Sequence, residues 1–144
     1  MREVLVGVDG SPGSRAALRW ALDYAEHCGG AVTALIAWTP PTYVEPVPAP
    51  PVISDEDSEE RAGHRLRQAV EDATAAQPTS VPLRREVVRG RAARALSGRA
   101  QHADLLVVGS RGHGGFAGAL LGSVSQHCVT HAPCPVVVVR PEPG

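Results

Sequence analysis

Apolar residues along this chain fall into short unbroken runs separated by amphipathic stretches. Val4 to Val8 (VLVGV), Leu105 to Val108 (LLVV) and Val136 to Val139 (VVVV) are each too short for a helix. All three are apolar on both faces, the pattern of strands buried in a parallel sheet. Ala31 to Trp38 (AVTALIAW) reads as a further strand. Val81 to Val88 reads as another, and its Arg84, Arg85 and Glu86 suit a sheet edge. Between the strands, apolar residues recur at helical spacing. Ala17, Leu18, Ala21, Leu22 and Ala25 make one stripe; Ala62, Leu66, Ala69, Val70 and Ala73 make a second. A short helix runs through Ala92, Ala95, Leu96 and Ala100, and a last one covers Val124 to Ala132.

The punctuation agrees with this alternation. Ser11 followed by Pro12 reads as an N-cap and first helical position, and Gly29-Gly30 stops that helix. Pro78 ends the second helix, and Pro133-Cys134-Pro135 breaks the last before the final strand. One segment stands apart. Thr39 to Asp57 holds six prolines between Pro40 and Pro51, which excludes helix and central strand alike. It reads as an extended insertion loop, either a tolerated addition or a lid.

Five strands alternating with four helices predict a single α/β domain over residues 1–144. The sheet should be parallel and open, with right-handed crossovers and helices on both faces. Ligands of such sheets sit beyond the carboxyl ends of the strands, where the strand order reverses. The pattern leaves that order open. If the first and fourth strands are neighbours, Asp9 lies beside the loop after Leu105–Val108, with Ala37 at the next strand end.

Composition narrows the chemistry. A hydrophobic fraction of 43% and a charged fraction of 20% are ordinary for a globular chain. A net charge of -1 gives no electrostatic case for nucleic acid or an anionic membrane. No stretch reaches the roughly 18–20 apolar residues of a membrane span, and the first residues lack the apolar core of a signal peptide. Three cysteines (Cys28, Cys128, Cys134) without framework spacing suit a reducing compartment, so a cytoplasmic location is expected. All fourteen basic residues are arginine. The absence of lysine excludes a Walker A phosphate loop and Schiff-base chemistry.

Candidate chemistry concentrates in LLVVGSRGHGGFAGALLGSVS, Leu105 to Ser125. Six glycines (Gly109, Gly112, Gly114, Gly115, Gly118, Gly122) fall within fourteen residues, and Ser123 stands where it would cap the last helix. A buried strand, a glycine-rich loop and a helix N-terminus together form an anion site. Glycine lets backbone amides approach a phosphate, and the helix start offers donors and a favourable dipole. His127, Cys128, His131 and Cys134 are weighed as a metal cluster and set aside, because neighbouring His127 and Cys128 point about 100° apart on a helix. Ser123 and Ser125 belong to no legible Ser-His-Asp arrangement.

The order VGVDGS (Val6 to Ser11), then VVGSRG, then Gly109-x2-Gly112-x9-Gly122-Ser123 resembles the ATP-binding branch of the universal stress proteins, over Val4 to Arg140. The resemblance implies a Rossmann-like sheet of order 3-2-1-4-5 with ATP in the crevice between strands one and four. By position Gly7, Val8, Asp9 and Ala37 would line the adenine and ribose. Val108 and Gly109 would contact base and ribose, with Gly112 letting the backbone pass close. Gly122, Ser123, Val124 and Ser125 would hold the phosphates, with Mg2+ or Mn2+ bridging phosphate oxygens and no metal ligand from protein side chains. Arg111 and His113 flank the loop within reach of phosphate charge. The resemblance also implies a homodimer through Val136–Val139 and a regulatory role in stress response, with no catalytic residue. Two other readings stay open: a slow ATPase on the same fold, and a dimeric scaffold that binds no nucleotide.

Overall fold

The centre of the sheet is the chain's first strand, β1 (Glu3–Gly7). In the computed structural model, which describes residues 2–40, 55–111 and 121–141 (for 55–58 the backbone alone), β1 pairs in parallel with two strands. These are β2 (Ala31–Trp38) on one side and β4 (Leu105–Gly109) on the other. Outside them lie β3 (Leu83–Arg89) and β5 (Val136–Val139), giving the order β3-β2-β1-β4-β5 with every pairing parallel. The expected order and parallel sense are borne out, and the edge position of the Arg84–Glu86 strand with them. The Pro-rich insertion falls largely at residues 41–54, outside the described residues.

Residues alternate between the two faces of the sheet, and each set finds its own pair of helices. Val4, Val6, Val32, Ala34, Ile36 and Val107 face α1 (Pro12–Cys28) and α2 (Asp55–Ala76). Alanines at 17, 21 and 25 bring α1 close to the strands, and Leu66, Ala69 and Ala73 continue the layer along α2. On the opposite face Leu5, Leu35, Leu106 and Val108 meet Leu96 and Ala100 around α3 (Ala92–Arg99), and Cys128 of α4 (Ser123–His131). A short 3-10 turn at Ala100–His102 carries the chain from α3 toward β4. Under α3 the polar start of β1 is neutralised. Arg99 Nε lies 3.1 Å from Glu86 Oε2, its Nη2 lies 3.6 Å from Glu3 Oε1, and the Thr33 hydroxyl donates to Glu3.

Local signals explain the element ends. Ser11 Oγ accepts the Ser14 N–H at 3.2 Å, Pro12 occupies the first turn, and Gly29 closes α1. One expectation is corrected. Ser123 does not cap the last helix: Gly122 holds the extended N-cap position and Ser123 is already helical. The displacement has a clear cause, since the Gly122 N–H is drawn to the Ser110 carbonyl at 2.6 Å, which starts the helix one residue early.

Leu106 is fully buried between β1 and β5 on the α3–α4 face. Leu106→Ala should therefore lower unfolding free energy by about 2–5 kcal/mol, read from the urea midpoint at unchanged slope.

Candidate functional site

Strand order reverses between β1 and β4, and the segments leaving their carboxyl ends meet there. Pairing of Val6 with Val107, and of Gly7 with Leu35, sets Gly7, Val8 and Asp9 between Ala37 on one side and Val108 and Gly109 on the other. The sheet thus brings together residues that are far apart in the chain. Asp9 is held by its own turn: Oδ1 accepts the Ser11 N–H at 2.8 Å, and its N–H donates to Ser14 Oγ at 3.2 Å. This is the Asx turn expected where an aspartate precedes a helix start. At Gly10 the backbone adopts φ +85°, a conformation that glycine takes without strain.

The far wall is built from both ends of the glycine-rich loop. Ser110, buried at 3% exposure, gives its N–H to the Val139 carbonyl at 2.8 Å. Its own carbonyl accepts the Gly122 N–H and lies 2.9 Å from Ser125 Oγ, which is also 3.1 Å from the Gly122 carbonyl. Strand exit and helix entry are thereby tied together, closing the loop at its base. The first helical bond of α4 runs from the Gln126 N–H to the Gly122 carbonyl at 2.9 Å, so the amides of Ser123, Val124 and Ser125 stand ahead of it. No side chain caps this end, and no acidic residue occupies its first turn. A positive helix end therefore faces the loop.

The serines divide their work. Ser123 is exposed, whereas Ser125 is 2% exposed with its hydroxyl turned to the Ser110 and Gly122 carbonyls. Val124 packs against the α3–α4 core. Arg111 is exposed at the loop entrance. Gly112 and His113, together with Gly114, Gly115 and Gly118, lie outside the described residues.

Sequence reasoning missed the partners that hold this wall. Gly13, in the first turn of α1, sits so close that a Cβ there would lie 2.6 Å from the Arg111 carbonyl oxygen. The contact is mutual, because a Cβ on Gly109 would fall 2.7 Å from the Gly13 carbonyl carbon. Gly109 is thus required by helix–strand approach, independently of any ligand. A glycine directly after Pro12, where alanine would favour the helix, was the available signal. Ser110 left none, being a single small polar residue among glycines.

Among the described residues no group of three or more His, Cys, Asp or Glu side chains is placed to hold a metal. The rings of His127 and His131 lie 4.5 Å apart on α4, but Cys128 turns inward, fully buried in the core. That burial pushes the Cys128 thiol up to about 11. Among the described residues, no helix is long and apolar enough to cross a membrane.

Two measurements test this geometry. Gly→Ala in a helix normally gains about 0.5–1 kcal/mol; Gly13→Ala should instead destabilise by about 1–3 kcal/mol through overpacking against Arg111, as read from urea unfolding. For Cys128 the folded state keeps its proton longer than the unfolded chain. Its stabilising contribution is full below pH 9.0 and is lost as pH rises toward about 11. Wild type should lose more stability than Cys128→Ala over that interval, and an equal loss in both would contradict the assignment.

The model of the Universal stress protein family matches residues 1–140. A universal stress protein of Mycolicibacterium smegmatis is 38% identical over 138 residues, covering 96% of this chain and 45% of the relative. The chain therefore spans less than half the length of that relative. Among solved structures, universal stress protein UspA from Lactobacillus plantarum is 26% identical with a TM-score of 0.75, over 96% of this chain and 97% of the other. A universal stress protein crystallised in complex with cAMP is 28% identical with a TM-score of 0.72, over 98% of each chain. From central strand to capless final helix, with the match running almost end to end, the chain belongs to the universal stress protein family.

Proposed function

We propose that this protein is a regulatory ATP-binding module, with the nucleotide across the β1–β4 crevice and its phosphates at the start of α4. The observation that carries this reading is the uncapped α4 N-terminus, fastened through Gly122 and Ser125 to the Ser110 carbonyl at the mouth of a glycine-rich loop. Free amides at a helix start suit phosphate oxygens. In this reading Gly7, Val8, Asp9 and Ala37 line adenine and ribose, while Val108 and Gly109 contact base and ribose beside Gly112. Gly122, Ser123, Val124 and Ser125 supply phosphate contacts: main-chain amides at all four and the exposed hydroxyl at Ser123. Arg111 and His113 add charge at the rim. The Ser125 hydroxyl donates to the Ser110 and Gly122 carbonyls, which leaves its role mainly to its amide and to holding the loop. Mg2+ or Mn2+ would ride on the phosphates, since no protein side chain is assigned to it.

Turnover is not the purpose in this reading. Rapid phosphoryl transfer needs a base or water-positioning group and charge clamps at the γ-phosphate. The chain has no lysine, and Asp9 is turned into its own Asx turn at the base-and-ribose end. The β5 edge, four half-buried valines, supports a homodimer through this strand. The cAMP-bound relative favours one second reading, a preference for a cyclic or monophosphate nucleotide in the same crevice.

Nucleotide extracted from purified protein, followed by calorimetric titration with ATP, AMP and cAMP in the presence of Mg2+, tests the proposal. ATP should bind most tightly, without steady phosphate release. Gly122→Val should weaken it by about a hundredfold, on the order of 3 kcal/mol, by blocking the amide cradle. Binding of cAMP alone would favour the second reading, many turnovers per minute an enzyme, and no binding of any nucleotide the scaffold.

A further inference from the structure

A second hollow lies on the other side of the sheet, between α1 and the first half of α2. Its volume is about 760 Å³, and Gly10 forms part of its wall. Arg61 and Arg65 stand one turn apart on α2, with Arg15 opposite on α1. Among the described residues of the lining Glu60 is the one carboxylate, and His64 and Gln68 add polar groups. α4, which the nucleotide reading uses, packs on the opposite face of the sheet. The arginines of the hollow thus lie on the face away from α4, and the two places adjoin only where Gly10 follows Asp9.

Three features of this hollow point to an anion. Like charges one helical turn apart repel, and here a third arginine lines the same space. Such crowding is relieved by a multiply charged ligand. The Arg15 charge is only partly answered, by Asp72 at 3.8 Å with both side chains half exposed. Arg65 is also positioned in advance. Its stem lies across Gly10, so close that a Cβ there would be 2.8 Å from Arg65 Cδ. A stem lodged against backbone loses less freedom on binding, which favours the planar guanidinium fork for paired oxygens. The volume is within the usual range of small-molecule sites.

We propose that the α1–α2 hollow binds a small, multiply charged oxyanion, phosphoryl or carboxylate, gripped by Arg61 and Arg65 with Arg15 opposite. Glu60 excludes ligands that lack the charge to outweigh it, and Gln68 and His64 offer hydrogen bonds to the remainder of the ligand.

Calorimetric titration of the full chain with inorganic pyrophosphate and, separately, citrate tests this. At least one should bind, with affinity falling as salt rises. A tighter pyrophosphate complex assigns a phosphoryl ligand, and a tighter citrate complex a carboxylate one. The double variant Arg61→Gln, Arg65→Gln, with its fold checked by circular dichroism, should weaken binding by about tenfold or more, while Gly122→Val should leave it unchanged. Amide shifts in nuclear magnetic resonance should centre on Gly10 and His64. No binding of either anion, full binding by the double variant, or shifts confined to Ser123–Ser125 would overturn the proposal. A loss of ATP binding with pyrophosphate binding intact would count against the nucleotide reading alone.

Discussion

One carbonyl group holds the carboxyl end of this sheet together. The Ser110 oxygen accepts the Gly122 amide and the Ser125 hydroxyl, while the Ser110 amide reaches across to Val139. In a buried position an unmet carbonyl costs about 1–3 kcal/mol, so these bonds have strong reason to persist. Their effect is geometric as well. They fix where β4 ends, where α4 begins, and how β5 lies beside both. The two ends of the glycine-rich segment, at Ser110 and Gly122, are thereby held at one place.

The same end of the sheet depends on an absence of atoms. Gly13 and Gly109 let the start of α1 touch the exit of β4, and either Cβ would force them apart. Because α1 also carries the Ser11 cap and the Asp9 turn, this contact sets the β1 wall of the crevice relative to the β4 wall. A single backbone-to-backbone approach thus joins two halves of the sheet that the chain builds some hundred residues apart. The far side of the molecule obeys a different logic. There Arg99 bridges Glu86 and Glu3, an ionic tie that closes polar groups beneath α3 without shaping any hollow.

Much of this architecture was legible from the residues. Continuous apolar runs fixed the strands to within a residue or two, and Ser11-Pro12 and Gly29 marked α1 because their chemistry is local. Strand order was different. No local preference encodes that Val6 lies against Val107, and only the family resemblance supplied it. The Ser123 cap failed for a related reason, since a long-range bond to Ser110 overrode the ordinary preference for serine at that position. The contact of Arg65 with Gly10 depends on how α2 lies over the β1–α1 turn, which periodicity cannot express. The chain's small, alanine-rich helices fit the same picture. They sit close to the sheet because little side chain stands between, so tertiary approach decides details that propensity leaves open.

Placing the first strand at the middle has a consequence for how the molecule is made. Glu3 and Asp104 exchange backbone and side-chain hydrogen bonds across 101 residues. On a ribosome, β1 waits with one flank bare until some hundred further residues have been synthesised. The β1–β2–β3 half can zip early, since its partners are near in sequence, whereas the β4–β5 half docks late onto an apolar rim. The β1–β4 crevice is thus closed by the more distant of the two pairings that β1 makes.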